Sequence, residues 1–192
     1  ACLALGVAAI AAVGMVRAAI EAGLRDQGAM LLGGDAQAEF TYRFANPDEL
    51  AFLQGVAVNV SEIVDFRSMA VVGAVVGADT DESRALTQVK AVDDAYPLLG
   101  TVELADGVGL DTALADFDGM PGAVMDKVLA GQLGLEVGGT FKLGLQAFHL
   151  GGLVEREPDS AAGGFALAPR TIVRTAGLAN SGLIGPGTLF DT

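Results

Sequence analysis

A chain of 192 residues with 24 acidic side chains against 11 basic ones, a formal charge of -13, has room for one membrane-type helix and one domain of ordinary size. That acidity repels phosphate backbones and anionic headgroups, which excludes nucleic acid as the natural partner. The only cysteine is Cys2, so neither an intrachain disulfide nor a cysteine metal cluster can form.

From Ala1 to Val16 no side chain is charged or strongly polar, and Arg17 alone interrupts the apolar run before Ile20. A bilayer core takes about 20 mainly apolar helical residues, so Ala1 to Ile20 is expected to be a transmembrane helix whose missing turn lies upstream. A signal peptide would show a basic start and a cleavage site; a buried alanine-rich helix of a soluble protein is the stronger rival. Ala4, Ala8 and Ala12 recur every fourth residue with Gly6 and Gly14 near the same side, a spacing that admits a neighbouring membrane helix and that alanine richness alone also produces. Beyond Arg17 the helical period continues one-sidedly, with Ile20, Leu24 and Leu31 on one face and Glu21, Arg25, Asp26 and Gln27 on others. Gly33-Gly34 predicts the C-cap. The reading is a stalk from Arg17 to Leu32, projecting about 25 Å at ~1.5 Å per residue. Gly23 and Gly28, each costing about 1 kcal/mol of helix preference against Ala, are its candidate flex points. Arg17 and Arg25 cancel Glu21 and Asp26, so all the net acidity lies in residues 35–192.

In that second part, Ala36, Ala38, Phe40 and Tyr42 alternate with polar residues and predict a half-buried strand. Asn46-Pro47-Asp48-Glu49 opens a helix with a cap, a first-turn proline and acids at the positive end; Leu50, Phe52 and Leu53 are expected to bury it. Ile63 to Val72 reads as a strand with Val64, Phe66, Ala70 and Val72 on one face. A loop or hairpin tip within Gly73 to Arg84 and a return strand from Ala85 to Val92 follow. After the break at Asp93-Asp94-Ala95-Tyr96-Pro97 come a short strand around Thr101 to Leu104 and a helical turn over Asp111 to Ala115. A strand from Pro121 runs into a helix ending at Leu133. Gly138-Gly139 predicts a hairpin corner, followed by strands at Phe141 to Gly144 and Gln146 to Arg156. The remainder reads as a loop from Glu157 to Ala168, a strand at Thr171 to Val173, a short helix over Ala176 to Ser181 and a strand beginning at Gly187 to Phe190. Short strands and helices in mixed order make residues 35–192 an α+β domain, cut at its C-terminal side.

The search for chemistry is mostly negative. No Gly-Lys-Ser or Gly-Lys-Thr occurs, and Gly107-Val108-Gly109 lacks the third glycine of a dinucleotide fingerprint. His149, the sole histidine, stands in a strand pattern with no Ser or Cys partner at motif spacing. Ser181 fails the nucleophile-elbow pattern at both outer glycines and reads as a cap. Asp111, Asp116 and Asp118, and separately Asp79, Asp81 and Glu82, lack the ligand spacing of a calcium loop. Glu155-Arg156-Glu157-Pro158-Asp159 could hold a local ion pair worth ~0–1 kcal/mol. Asn59-Val60-Ser61 is a glycosylation sequon by pattern. No catalytic, cofactor-binding or metal-ligating residue is assigned, and no cofactor is expected.

The apolar start LALGVAAIAAVG, the stalk VRAAIEAGLRDQGAMLLGGDAQAEF and the passages EIVDFRSMAVV, KAVDDAYPLLG, GAVMDKVLAGQLGLEVGGTFKLG and LVEREPDSAAGGF resemble ABC transporter permeases of the FtsX/MacB superfamily. The resemblance runs from the first membrane helix through part of the first periplasmic domain. It implies an N-terminal helix crossing the bacterial inner membrane and a MacB-like periplasmic core domain over residues 35–192. It further implies a non-catalytic permease subunit, a separate cytoplasmic ABC ATPase as partner and a periplasmic protein as a second one. Such permeases carry the movement of the ATPase to the periplasm by mechanotransmission, here with lipid-like or hydrophobic cargo. The alternative is a membrane-anchored periplasmic binding module without an ATPase. A secreted hydrolase would need a catalytic group that the sequence does not supply.

Overall fold

A computed structural model of the chain describes residues 2–73, 83–159, 168–185 and 188–192. The first element, α1, is continuous from Cys2 to Leu32. Gly33 stops it in the left-handed region at φ 72°, and the Gly34 N–H returns to the Ala29 carbonyl at 3.0 Å. That six-residue closure is a Schellman motif, so the predicted cap is present. Among the described residues no helix is long and apolar enough to cross a membrane; what the structure bears out is the helix and its stop, not a span. Val13, Met15, Val16 and Ile20 are exposed along it, and Arg17 pairs with Glu21 one turn on at 2.8 Å. Gly23 and Gly28 sit in unbroken helix, where an added Cβ would meet nothing within 4 Å.

The strand predicted over residues 36–42 does not form. The segment is extended, and among the described residues its cross-chain backbone bonds go only to the C-terminal residues, through Phe40 and Thr192 in both directions (2.7 and 2.9 Å) and from Tyr42 N–H to the Phe190 carbonyl (2.7 Å). Tyr42 then turns to φ 61°, which no strand tolerates, and the pairing ends. α2 (Pro47–Val56) has the predicted start in full: Asn46 accepts from the Glu49 N–H, and the Glu49 carboxylate accepts from the Asn46 N–H. Arg43 clamps the same carboxylate at 2.7 and 2.9 Å. The expected burial fails. α2 buries no residue; Phe52 is 67% exposed, and Leu50 and Leu53 are half-buried. The side-chain hydrogen bonds described for α2 lie at its N-terminal cap.

β1 (Ile63–Val72) and β2 (Ser83–Val92) pair antiparallel along their whole length. The tip residues 74–82, with Asp79, Asp81 and Glu82, lie outside the described residues. After β3 (Glu103–Leu104) and the single turn α3 (Leu110–Ala113) come β4 (Gly122–Asp126), α4 (Lys127–Leu133), β5 (Thr140–Leu143), β6 (Gln146–Arg156) and β7 (Arg170–Arg174), then a 3-10 turn at Thr175–Leu178. The chain crosses so that β7 lies parallel to β2 and antiparallel to β4. β4 runs parallel to β6, and β5 bonds both β6 and β1. The order β1-β2-β7-β4-β6-β5 therefore returns to β1 as a closed ring, with β3 attached to the far end of β6.

Alternation explains the inner core. Val64, Phe66 and Ala70 of β1 point inward as predicted, against Val89, Phe141 and Phe148. Asp126 caps α4 by accepting the Val128 N–H at 2.7 Å, which directs Leu129, Ala130 and Leu133 onto the same core. A second cluster covers the opposite face, where α3 brings Leu110, Ala113 and Leu114 onto Val124 and Ile172. α3 approaches so closely that a Cβ at Gly151 would stand 2.0 Å from the Ala113 carbonyl oxygen, and one at Gly122 2.5 Å from it.

Three boundaries differ from the sequence reading. The hairpin corner is Gly144-Leu145, between paired Leu143 and Gln146; Gly138-Gly139 instead turns α4 into β5, with Gly138 N–H on the Leu150 carbonyl at 2.8 Å. The helix predicted over Ala176 to Ser181 is the 3-10 turn at Thr175–Leu178. Residue 187 lies outside the described residues, and residues 188–190 form no strand; only Asp191 bridges, to Thr41 and Asp65.

Candidate functional site

Register places three charged side chains on one face of the ring. Asp65 of β1 stands opposite Lys90 of β2, and Lys90 is level with Ile172 of β7, two residues beyond Arg170. The chain leaving β6 adds Glu157 and Asp159, and the turn after β2 adds Tyr96. Lys90 is only 3% exposed. Its Nζ lies 2.6 Å from Glu157 Oε1, 2.6 Å from Asp159 Oδ2 and 3.2 Å from the Tyr96 hydroxyl. Tyr96 in turn meets Asp159 Oδ1 at 2.9 Å, and Arg170 Nη1 donates to Glu157 Oε2 at 2.9 Å.

The electrostatics follow from burial and count. Lys90 and Arg170 face three carboxylates, Glu157, Asp159 and Asp65, so one acid is in excess. Burial pushes Asp65 up, against the pull of Arg170 and Lys90. Burial would also raise Asp159, but the Lys90 charge and the hydrogen bonds from Lys90 and Tyr96 hold it below the ordinary carboxylate value. Burial and the two carboxylates drive Tyr96 far upward, which keeps it a neutral donor. Burial would lower Arg170, but Glu157 and Asp65 outweigh it. Asp65 Oδ1 and Arg170 Nη2 are buried without a hydrogen-bond partner among the described residues. The ion pairs of Lys90 and Arg170 tie β2 and β7 to the chain leaving β6.

The cluster reaches the end of α1. A Cβ on Gly33 would lie 3.1 Å from Asp159 Cβ and 3.3 Å from its Oδ2, and one on Gly34 3.9 Å from Leu98. On the other side a Cβ at Gly100 would stand 2.6 Å from Pro158. Pro158-Asp159 is thus packed between the capped helix end and the loop that carries Tyr96.

Residues singled out in the sequence fall elsewhere. His149 is a β6 residue stacked on Phe117 at 4.6 Å. Ser181 is buried and bonded to the Leu178 carbonyl and the Leu183 N–H, a turn cap. Asp111 pairs with Arg174, while Asp118 and Gly119 form the two positive-φ positions of a tight turn closed by Phe117 and Met120. Gly107 takes φ 72° in a turn after β3, and Ser61 of the sequon donates to Asp93 at 2.8 Å. Among the described residues no group of three or more His, Cys, Asp and Glu could hold a metal ion. The local ion pair expected within Glu155 to Asp159 is corrected: Arg156 bonds Glu103 across the β3–β6 ladder, and Glu157 and Asp159 serve Lys90. Sequence reasoning missed Lys90, Tyr96, Arg170 and Asp65. The one signal was a lone lysine in the apolar run Val89-Lys90-Ala91-Val92, which a strand covered on both faces cannot leave unpaired.

The architecture defines an α+β domain in which a long helix is seated by its cap on a closed strand ring. The chain belongs to the family of MacB-like periplasmic core domains, which it matches over residues 1–185. It is similar to the uncharacterized ABC transporter permease YbbP of Escherichia coli (strain K12), with 30% identity over 186 residues, 97% of this chain. It spans 21% of that relative's length. It is also similar to the extracellular domain of the noncanonic ABC-type transporter YknZ from Gram-positive bacteria, with a TM-score of 0.47 and 14% identity over 81% of this chain and 73% of that one. The resemblance to permeases of the FtsX/MacB superfamily is borne out.

Proposed function

We propose that this chain is the N-terminal part of an ABC transporter permease subunit. Residues 1–34 form a helix whose apolar start enters the inner membrane and which continues as a stalk, and residues 35–192 form its periplasmic α+β domain. A separate cytoplasmic ATPase hydrolyses ATP, α1 transmits the resulting movement, and the periplasmic domain acts on a partner protein or on lipid-like cargo. The chain itself performs no catalysis. The observation that carries this reading is the single unbroken helix from Cys2 to Leu32, ending against a buried residue of the domain. The similarity to the permease YbbP and membership of the family of MacB-like periplasmic core domains support the same placement.

Purification of the full-length protein from membranes should retain an ABC ATPase among its bound proteins; a preparation with no ATPase partner overturns the reading in favour of an anchored binding module. Within the assembled transporter, Gly23→Pro removes a helix hydrogen bond and kinks α1 at a cost of about 3 kcal/mol. ATP hydrolysis should continue while ATP-dependent movement of the periplasmic domain, followed by spin-label distances, is lost. Movement that survives with the helix demonstrably kinked defeats the rod mechanism.

A further inference from the structure

Two consecutive glycines between a long helix and a folded domain suggest a hinge, and the structure contradicts that at both positions. Gly33 is held at φ 72° by the Schellman closure and lies face to face with Asp159; Gly34 is buried and packs toward Leu98. The last turn of a helix carries partial negative charge on its unpaired carbonyls. Asp159 brings a carboxylate to that end, an arrangement that repels unless a cation neutralises the carboxylate. Lys90 is that cation, 2.6 Å from Asp159 Oδ2, the carboxylate oxygen that also faces Gly33. Through Glu157 the same lysine is tied to Arg170.

We infer that Gly33, Asp159 and Lys90 form a fixed joint that makes α1 move as one body with strands β2, β6 and β7, with Lys90 the positioning residue that keeps it closed. Gly33 is there because its lack of a Cβ lets the helix end sit on Asp159, not because the chain must bend. The joint stands on this geometry; its use in transmission rests on the function proposed above. A displacement of α1 then enters the ring at Asp159 and passes to β2 and β7 through Lys90, Glu157 and Arg170.

The test uses the full-length protein in lipid nanodiscs without nucleotide, in a cysteine-free background with spin labels at Ile20→Cys on α1 and Glu136→Cys in the turn after α4. Both native side chains are exposed. The joint requires a narrow distance distribution that widens at least twofold with Gly33→Ala or Lys90→Met. Gly33→Asn separates packing from backbone strain, since Asn accepts the left-handed cap conformation yet brings a Cβ against Asp159. It should widen the distribution without lowering the melting temperature. Gly28→Ala, on the same helix in open space, should leave the width unchanged. A native distribution already as wide as that of Gly33→Ala, or a Gly33→Asn distribution as narrow as the native one, overturns the joint. Because no ATP or ATPase is present, failure here leaves the permease reading untouched, and loss of the permease reading leaves this result standing.

Discussion

Lys90 makes its ion pairs with residues 67 and 69 positions further along the chain, and that separation decides both its energetic weight and its invisibility in the sequence. Removing one partner of a buried pair strands the other charges, so Lys90→Met should lower the unfolding free energy by about 3–5 kcal/mol, measured by urea titration. Asp65 should behave in the opposite sense. Its folded pKa is raised, so the native state holds the proton more tightly and stability falls as pH rises from the ordinary carboxylate range through the raised value. Asp65→Asn should abolish that fall and stabilise the protein at pH ~7 by on the order of 1 kcal/mol, with little effect near pH ~3. Asp159 runs the other way, its contribution complete above the ordinary carboxylate pKa and lost as pH falls through its lowered one. Urea titrations across that pH range separate the two acids. What was legible at this scale was local: the Asn46–Glu49 capping box and the Gly33-Gly34 cap each close within a few residues. The charge cluster was not, because its members come from β1, β2, β7 and the ends of two loops, and only register brings them together.

Elements whose pattern faces one buried side were read well, and those at the margin were not. β1 alternates inward and outward because one of its faces meets the core, so Val64, Phe66 and Ala70 announced themselves. Residues 36–42 alternate just as regularly, yet among the described residues their cross-chain backbone bonds go only to residues 190–192, and Tyr42 at φ 61° ends the pairing. Alternation reports that a segment can be extended, not that a neighbour awaits it. The glycine pairs show the same limit. Gly138-Gly139 resembled a hairpin corner, while the actual corner, Gly144-Leu145, carries one glycine, at φ 56°. Gly151 is the strictest glycine at this scale. A Cβ there would press on the α3 backbone at 2.0 Å from Ala113 O, with no flexible side chain to yield. Gly151→Ala should therefore cost about 3 kcal/mol through displacement of α3, visible as a lowered urea midpoint.

The whole molecule joins a helix of 31 residues to a ring in which β2, β7 and β4 each bond a strand on either side. Native-state hydrogen exchange should find the amides of these three strands exchanging last and together, at the rate of global opening, while α2, which buries nothing, exchanges early. Early loss of protection in β7 alone would refute the ring as the cooperative unit. The α+β class was legible from the mixture of short elements; the closure was not, since it depends on β5 bonding both β1 and β6. That closure limits how the domain can be recognised. Strand edges are the usual templates on which extended peptides dock and on which crowded copies polymerise. Among the described strands part of that template is used up, because β5 occupies one end of the β1 edge and Asp191 bridges it near the other, while β7 pairs β2 only from Gln88 onward and the two-residue β3 keeps an outer side open. Along the paired lengths a protein that binds this domain reads its side chains and loops rather than its backbone.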